Sequence, residues 1–299
     1  MKKAIITGAG GFIGLKVIER FSALYEIYAI DINQIKSNNS SVRISNSPIQ
    51  NKLLKTFAGE VDVIIHCAGS STVGFSYQYP YNDFQNNVNS LLEVLEYVRL
   101  FSPNTKIIFL SSGAVYGVKS NLPMKENDTT NPVSPYGYHK KIAEDLCLSY
   151  HKNYGINIAI VRFFSIYGVG LRKQLFWEAC MKFKNFSDGK INFYGKGTEI
   201  RDWLNVDDAV NLIETLSQHQ SGFDIFNGGT GVESKNNQVL NLLAKTYNEN
   251  IEIVFNGETR EGDPDYYCAE TTKVSNLNWK PLIYINDGID EYVRWFKTL

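Results

Sequence analysis

Residues 3–14 read KAIITGAGGFIG. The β-branched run at 3–7 predicts a short buried strand, and the residues after the glycines, LKVIERFSAL, predict a helix. Between the two, Gly8, Gly11 and Gly14 form a GxxGxxG spacing. In a strand–turn–helix unit, such glycines permit a tight turn, a close approach of the backbone to a pyrophosphate, and close helix packing. The stretch therefore predicts a dinucleotide-binding domain.

The next predicted strand, EIYAID, ends in Asp31. At this place an acidic side chain accepts hydrogen bonds from the ribose hydroxyls of the adenosine. A carboxylate would repel the extra phosphate of NADP, so Asp31 favours NAD. The polar residues 33–51 predict a surface loop that contains at most a short strand around 42–44.

Strands and helices then alternate along the chain. The apolar runs at 61–69, 106–110 and 156–164 predict strands, and the residues at 81–101 have helical spacing. This alternation implies right-handed crossovers and a parallel sheet that binds ligand at the carboxyl ends of its strands. We therefore predict an α/β fold, a Rossmann domain with a doubly wound parallel sheet, over residues 1–168.

Beyond residue 168 the pattern loosens into short strands and helices. We predict that residues 169–299 are mainly a smaller mixed α/β lobe that binds substrate, and that some later segments return to the first domain. No run of Pro, Ser or charge separates the two parts.

Composition narrows the class of protein. The chain has 299 residues, 43% hydrophobic and 20% charged, which is typical of a globular protein with a substantial core. Lys and Arg (30) balance Asp and Glu (31) to a net charge of −1, so we expect neither nucleic acid nor membrane as a partner. No stretch reaches the roughly 18 apolar residues of a membrane-spanning helix. Four well-separated cysteines without CxxC or histidine spacing predict no metal site and a reducing, cytoplasmic location.

Residues 136–140, YGYHK, set Tyr136 and Lys140 four positions apart, on one face of a predicted helix. A phenol with a pKa of about 10 is a poor base near neutrality, but a neighbouring ammonium lowers that pKa. The pair is a candidate proton shuttle, and the alternative is two side chains on a solvated helix face. His66, at the end of a buried strand, is more simply a hydrogen-bonded core group than a base.

Several motifs occur in a fixed order: TGAGGFIG, the strand-end Asp31, HCAG at 66–69, NNVN at 86–89, SSGAVYG, YGYHK, RFFSIYG, GTEIRDWLNVDD and REGD. In this order and spacing they resemble the extended short-chain dehydrogenase/reductase family, in its branch of nucleotide-sugar epimerases and dehydratases. The resemblance covers nearly the whole chain. It implies NAD as cofactor, a nucleotide sugar as substrate, and a homodimer formed through the helices at about 82–101 and 137–153.

The resemblance also implies roles for individual residues. It assigns catalysis to Ser112, Tyr136 and Lys140; cofactor binding to Gly8, Gly11, Phe12, Ile13, Gly14, Asp31, Ala68, Gly69, Asn87, Tyr136 and Lys140; and substrate binding to Ser112, Ser165, Arg201, Arg260 and Asp263. In these roles Tyr136 as phenolate removes a sugar hydroxyl proton, Lys140 lowers the pKa of the phenol and holds the nicotinamide ribose, and Ser112 donates to the developing carbonyl oxygen. The two arginines bind the diphosphate, and Asp263 binds ribose.

Three features, at four positions, depart from the family pattern. Dehydratases of this branch carry an Asp-Glu pair directly after the hydroxyl residue, but here Gly113 and Ala114 stand there and cannot ionise. Ser165 replaces a common substrate-contacting Asn, and Ser71 replaces a lysine that several 4-epimerases place near the cofactor. The usual 4,6-dehydration is therefore disfavoured.

We accordingly predict a NAD-dependent nucleotide-sugar 4-epimerase that acts through a transient 4-keto intermediate. The alternative is a NAD(P)H-dependent reductase of nucleotide 4-keto sugars. A third, less favoured alternative is a non-catalytic dinucleotide-binding regulator, against which the retention of Ser112, Tyr136 and Lys140 argues.

Overall fold

A computed structural model describes residues 1–35, 39, 41–70, 72–119, 123–187, 189–219, 222–258 and 265–299. Of the residues named above, Ser71, Arg260 and Asp263 lie outside the described residues. Within these ranges no helix combines the length and the apolar character needed to cross a membrane.

Within the described ranges the strands form a seven-stranded sheet and three small sheets. In chain order they are β1 (Lys2–Thr7), β2 (Tyr25–Asp31), β3 (Val42–Asn46), β4 (Val63–His66), β5 (Lys106–Ser112), β6 (Asn157–Phe163), β7 (Ser165–Tyr167), β8 (Lys190–Phe193), β9 (Ile200–Arg201), β10 (Trp203–Asn205), β11 (Phe223–Gly228), β12 (Ser234–Lys235), β13 (Glu252–Phe255) and β14 (Tyr266–Tyr267).

The helices connect these strands. In chain order they are α1 (Phe12–Phe21), α2 (Asn51–Ala58), α3 (Val73–Gln78), α4 (Pro80–Phe84), α5 (Ser90–Phe101), α6 (Pro135–Tyr154), α7 (Gln174–Lys184), α8 (Val206–Gln218), α9 (Asn236–Tyr247), α10 (Thr272–Ser275) and α11 (Ile285–Phe296). A π-helical turn, Gln85–Asn89, joins α4 to α5, and a 3-10 turn, Gly113–Tyr116, follows β5.

The large sheet has the strand order β11-β6-β5-β4-β1-β2-β3, and its pairings from β6 to β3 are parallel. The chain runs outward from β1 to β3, returns to β4 on the other side of β1, and continues to β5 and β6. This reversal confirms the predicted doubly wound Rossmann fold. Ligands of such sheets bind beside the carboxyl ends of the strands where the order reverses, which here are Thr7 of β1 and His66 of β4.

One face of the sheet is covered by helices α2, α5 and α6. Strand side chains such as Ile5, Ile64 and Ile107 are fully buried there against Leu95 of α5 and Ala143 of α6. Parallel strands covered on both faces carry continuous apolar runs, which is why β4 and β5 are apolar along most of their length. Each buried aliphatic side chain contributes about 1.5–3 kcal/mol to folding.

The chain divides into two compact units. Unit 1 consists of residues 1–117, 126–163 and 210–227, and it contains the seven-stranded sheet. Unit 2 consists of residues 118–125, 164–209 and 228–299, with the three small sheets and helices α7, α9 and α11. Nucleotide-sugar binding by the region 169–299 stays a prediction.

Two local features differ in detail from expectation. The region predicted as a loop at 33–51 contains β3, which pairs with β2 as the edge strand and extends to Asn46. The predicted helix at 81–101 is interrupted by the π-helical turn, which contains the motif NNVN. Such turns occur frequently at functional sites.

Candidate active site

The glycine turn brings the start of α1 against the end of β1. Gly8 has a positive φ of 62°, and a Cβ built on it would lie 2.5 Å from the amide nitrogen of Ala68. A Cβ on Gly14 would overlap the carbonyl oxygen of Gly8. No side chain caps the N-terminus of the ten-residue α1, where Phe12 and Ile13 are the first residues. Its first N–H groups are thus directed at the place where a pyrophosphate binds in folds of this kind.

Asp31 lies beside this turn. Its buried carboxylate accepts hydrogen bonds from the backbone N–H groups of Gly10, at 3.0 Å, and Asn33, at 2.8 Å. The two bonds orient the carboxylate at the carboxyl end of β2, and an ionised carboxylate retains capacity for further donors such as hydroxyls.

Asn87 lies in the π-helical turn and is fully buried. Its Nδ2 donates to the carbonyl of Asp83 at 3.1 Å, whereas its Oδ1 has no hydrogen-bond partner among the described residues. A Cβ built on Gly69 would lie 2.5 Å from that Oδ1. A buried acceptor without a partner is costly, so the site fits a ligand that supplies a donor. With the glycine turn and Asp31, this acceptor makes the residues of unit 1 compatible with NAD.

Three hydrogen bonds and a proline fix the start of the active-site helix. Ser134 caps α6 by accepting from the N–H of Gly137 at 3.2 Å, and Pro135 occupies the first helical position. The N–H of Tyr136 donates to Oγ of Ser76, at 3.0 Å, and that hydroxyl donates in turn to a carbonyl of its own helix, α3. Capping satisfies N–H groups that the helix itself leaves unpaired, so the backbone at Tyr136 is held from two sides.

Tyr136 and Lys140 are both buried, with 9% and 5% of their surface exposed. The Nζ of Lys140 lies 5.9 Å from the ring centroid of Tyr136 and donates to the carbonyl of Leu110 at 2.9 Å. The alternative of two solvated side chains is therefore wrong, because the pair lies inside the protein.

The sequence predicts a lowered pKa for Tyr136, but in the structure this pKa is raised. Burial raises the pKa of Tyr136 to about 12, and the hydrogen bond from Ser112, which lowers it, offsets only part of that effect. Burial also lowers the pKa of Lys140 to about 8. Lys140 does not hold the phenol pKa below 10 here, because its ammonium is bonded to the carbonyl of Leu110 and the phenol is removed from water.

Ser112 ends β5 and caps the turn Gly113–Tyr116, where its Oγ accepts from the N–H of Ala114 at 3.2 Å. Its hydroxyl also makes the hydrogen bond with Tyr136. The neighbouring Ser111 has a different partner, because its Oγ donates to Oε1 of Glu144 at 2.6 Å. Of the two serines, Ser112 is thus the one that reaches the tyrosine.

His66 is a core residue, as expected. It is fully buried, and its Nδ1 lies 2.8 Å from Oγ1 of Thr7. Burial, followed by the charge of Lys140, lowers the pKa of His66 to about 3. The imidazole is therefore neutral near pH 7. Its hydrogen bond with Thr7 links the carboxyl ends of β4 and β1.

The substrate residues predicted in the second half lie in unit 2. Ser165 begins β7, and its N–H donates to the carbonyl of Asp202 at 3.0 Å. Arg201 ends β9, is partly exposed, and donates from one guanidinium nitrogen to the carbonyl of Ile200 at 2.9 Å. The carboxylate of Asp202 is buried and accepts from the N–H groups of Thr230, Gly231 and Ala269. Asp202 thereby fixes the backbone next to Arg201.

Sequence reasoning missed three residues that contact the site, Ser76, Asp83 and His139. Ser76 holds the backbone of Tyr136, and the buried Asp83 pairs with the partly buried His139, with Oδ2 and Nδ1 2.5 Å apart. His139 stands inside YGYHK, directly before Lys140, but nothing in a single sequence distinguishes it from a solvated helix residue. The pairing of His139 with Asp83 becomes evident only from the packing of α4 against α6.

Comparison with known proteins shows which family the chain belongs to. A profile of the NAD dependent epimerase/dehydratase family matches residues 4–229. The chain belongs to this family. Family membership confirms three predictions: the resemblance to this family, an enzymatic function, and NAD as the cofactor.

Similar proteins include a protein of Methanocaldococcus jannaschii that carries the provisional name UDP-glucose 4-epimerase, 32% identical over 98% of both chains. UDP-glucuronate 4-epimerase of Thermodesulfobacterium geofontis is 26% identical over 98% of this chain and 95% of its own. The crystal structure of UDP-glucuronic acid 4-epimerase from Bacillus cereus, in complex with UDP-glucuronic acid and NAD, is 25% identical and has a TM-score of 0.89, with 99% of each chain covered. These relatives support the epimerase prediction over the reductase alternative.

Proposed function

We propose that this member of the NAD dependent epimerase/dehydratase family is a nucleotide-sugar 4-epimerase, which inverts C4 of the sugar through a transient 4-keto intermediate. The observation that carries the proposal is the group formed by the partly buried Ser112 and the buried Tyr136 and Lys140, together with the turn after Ser112, which begins with Gly113 and Ala114. This group can move a proton at a sugar hydroxyl, but the turn offers no carboxyl group for loss of a neighbouring hydroxyl.

The glycine turn at 8–14, Asp31 and Asn87 would hold NAD, which would supply a reversible hydride acceptor for C4 of the sugar. Tyr136 takes the proton of the C4 hydroxyl and later gives it back. Ser112 donates a hydrogen bond to the C4 oxygen while it has carbonyl character. A protonated Lys140 would favour the phenolate, but in this structure burial dominates and the pKa of Tyr136 stays at about 12.

The relatives named above act on UDP sugars according to their names, so we propose UDP as the nucleotide. We assign the diphosphate to Arg201 and Arg260, the ribose to Asp263, and the sugar to Ser165. Guanidinium groups bind phosphate through paired donors, which suits the first assignment.

We also propose a cytoplasmic homodimer. The four cysteines are free, as they would be in a reducing compartment. Helices α5 and α6 carry large apolar side chains on the surface, namely Leu100, Tyr138, Ile142 and Tyr154, each at least 40% exposed. Apolar helix faces of this kind pair across two-fold axes. A monomer mass in light scattering at working concentration would contradict the dimer.

The function is tested by incubating the NAD-loaded protein with hexoses linked to UDP, dTDP, GDP and CDP, without a reductant. We expect one C4 epimer to convert to the other, and we expect Tyr136→Phe to abolish the conversion. Consumption of NADH or NADPH with a 4-keto sugar, without any interconversion, would instead establish the reductase. The regulator alternative predicts that no nucleotide sugar is converted. It also predicts that the biological role of the protein persists in Tyr136→Phe.

A further inference from the structure

Two small sheets of unit 2 meet at Asp202. Strand β9 ends in Arg201, directly before Asp202, and β10 begins directly after it with Trp203. β9 is the central strand of a three-stranded sheet, and β10 pairs with β7, whose first residue is Ser165. The carbonyl of Asp202 accepts the N–H of Ser165 at 3.0 Å. The backbone of Asp202 therefore connects the strand of Arg201 to the strand of Ser165.

The carboxylate of Asp202 is fully buried and binds two segments that are distant from it in the sequence. Its Oδ1 accepts from the N–H and the hydroxyl of Thr230, at 2.7 and 2.6 Å. Its Oδ2 accepts from the N–H groups of Gly231, at 2.9 Å, and Ala269, at 3.2 Å. A Cβ built on Gly229 would overlap this carboxylate, so the glycine leaves the space that the carboxylate occupies. These donors make the burial of a charged group tolerable.

The two bound segments continue into the strands on either side of β9. Residues 230–231 lead into β12, in which Ser234 lies opposite Arg201. On the other side, Tyr267 of β14 lies opposite Arg201 and is followed by residues 268–269. Strands of two residues are shorter than is usual in sheets, and their pairing provides few hydrogen bonds. The carboxylate of Asp202 therefore holds both neighbours of Arg201 in place where the strand pairing is short.

The guanidinium of Arg201 depends on this support. It is partly exposed, and one of its nitrogens donates to the carbonyl of Ile200 at 2.9 Å. A guanidinium binds phosphate through paired donors in one plane, so a small displacement of its backbone misplaces both donors together. A residue that fixes the backbone at 201 can therefore change phosphate binding without touching the phosphate.

We propose that Asp202 is a positioning residue for the nucleotide sugar: its carboxylate fixes the backbone at Arg201, and its carbonyl fixes the backbone at Ser165. The inference rests on the proposed function, which assigns the diphosphate to Arg201 and the sugar to Ser165. In this role the fully buried carboxylate of Asp202 does not touch the substrate and acts through the residues next to it.

The test is binding of UDP to the NAD-loaded, full-length protein, measured by calorimetric titration. Asp202→Asn keeps the size of the side chain, but its amide group is a donor and cannot accept from the N–H groups that the carboxylate oxygen binds. We expect the Kd for UDP to rise by about fivefold, as for the net loss of one hydrogen bond. The Kd for NAD should stay unchanged, since the cofactor residues lie in unit 1.

Asp208 of α8 provides the matched control. It is 3% exposed, and its carboxylate accepts from the N–H groups of Leu282, at 3.0 Å, and Ile283, at 2.9 Å. These bonds are of the same kind and lie in the same unit, but residues 282–283 do not flank β9. We expect Asp208→Asn to lower the free energy of unfolding and to leave the Kd for UDP unchanged. Equal increases in Kd in the two variants would indicate a general loosening of unit 2 and overturn the inference.

A double-mutant cycle shows whether Asp202 acts through Arg201. In the Arg201→Ala background the group to be positioned is gone, so Asp202→Asn should raise the Kd for UDP further by less than about twofold. Two independent effects would instead multiply, and a further increase of about fivefold in this background would overturn the proposed role.

Thr230→Val serves if Asp202→Asn does not fold. It removes the hydroxyl that donates to Oδ1 of Asp202 and keeps the shape of the side chain, so we expect the Kd for UDP to rise by about threefold. An unchanged Kd in Asp202→Asn, or in Thr230→Val if only that variant folds, would overturn the inference. A wild type that binds UDP but epimerises no nucleotide sugar contradicts only the proposed function. A wild type that does not bind UDP overturns the positioning role.

Discussion

The two units differ in how far the fold alone prepares their candidate site residues. In unit 1, Tyr136, Lys140 and Asn87 are buried, and each donates a hydrogen bond to a neighbouring element. In unit 2, Ser165 and Arg201 are partly exposed and lie on strands of two or three residues. In unit 1 the strand ends and a long capped helix fix the positions of the site atoms. In unit 2 the site residues lie on short strands and loops, which tolerate variation in sequence and conformation.

This difference suggests a division of labour. The chemistry of proton and hydride transfer needs fixed atoms, and we assign it to unit 1. Recognition of a particular nucleotide sugar is a matter of surface side chains, and we assign it to unit 2. Substitutions in unit 1 should therefore change kcat or cofactor affinity, and those in unit 2 should change KM.

The largest effect is expected for Tyr136→Phe, which removes the proton-transfer group. We expect kcat to fall by about 10⁴-fold, at the upper end for general acid–base catalysis, while NAD binding is retained. Steady-state kinetics and calorimetric titration with NAD measure both. Tyr138→Phe, two residues along the same helix and 53% exposed, is the matched control and should keep its kcat. Equal losses in both variants would show that the effect is not specific to the buried phenol.

A smaller effect is expected for Ser112→Ala, which removes one neutral donor to the C4 oxygen. We expect kcat to fall by about 10²-fold, at the lower end for such donors. The adjacent Ser111→Ala is the control, because Ser111 bonds to Glu144 instead. It should reduce the free energy of unfolding by about 1.5–3 kcal/mol, because the lost hydrogen bond is to a charged group, and it should change kcat little; unfolding in urea measures the former. The reverse result would assign the catalytic hydroxyl to Ser111.

Asp31→Ala tests cofactor binding in unit 1. Hydrogen bonds to a charged group contribute about 1.5–3 kcal/mol, so we expect the Kd for NAD to rise by about 10- to 100-fold. The variant should also discriminate less against NADP, since the repelling carboxylate is gone. Unchanged NAD affinity in a folded variant would contradict the proposed ribose contact.

The smallest effect is expected in unit 2, for Arg201→Ala. In the proposed role the partly exposed Arg201 binds the diphosphate equally before and during the reaction, so we expect KM to rise by about tenfold at constant kcat. Arg201→Lys should recover part of the loss, since a lysine keeps the charge but not the paired donors. A fall in kcat at constant KM would break the proposed division between the units.

The fold was largely predictable because its signals are local. The apolar run, the glycines and the helix of residues 3–21 are contiguous, and the spacing of Tyr136 and Lys140 needs only a helix to bring both to one face. The parallel order of the sheet then follows from the alternation of strands and helices.

What could not be predicted depends on packing between distant segments. Asp83 and His139 are 56 residues apart, and their contact exists only because α4 packs on α6. The pKa of Tyr136 was expected to fall beside Lys140, but the burial of the phenol outweighs other effects. Burial and the direction of a side chain such as Lys140 are properties of the tertiary structure, which spacing alone does not contain.

The most direct test of the account follows the hydrogen at C4 of the sugar. A UDP hexose with deuterium at C4 is incubated with the NAD-loaded protein in ordinary water, and both epimers are isolated. Because the hydrogen taken from C4 is returned to C4 and no acid pair exchanges neighbouring protons, we predict full retention of deuterium at C4 in both epimers. Loss of the label to solvent, or no interconversion with any of the nucleotide sugars, would contradict the account.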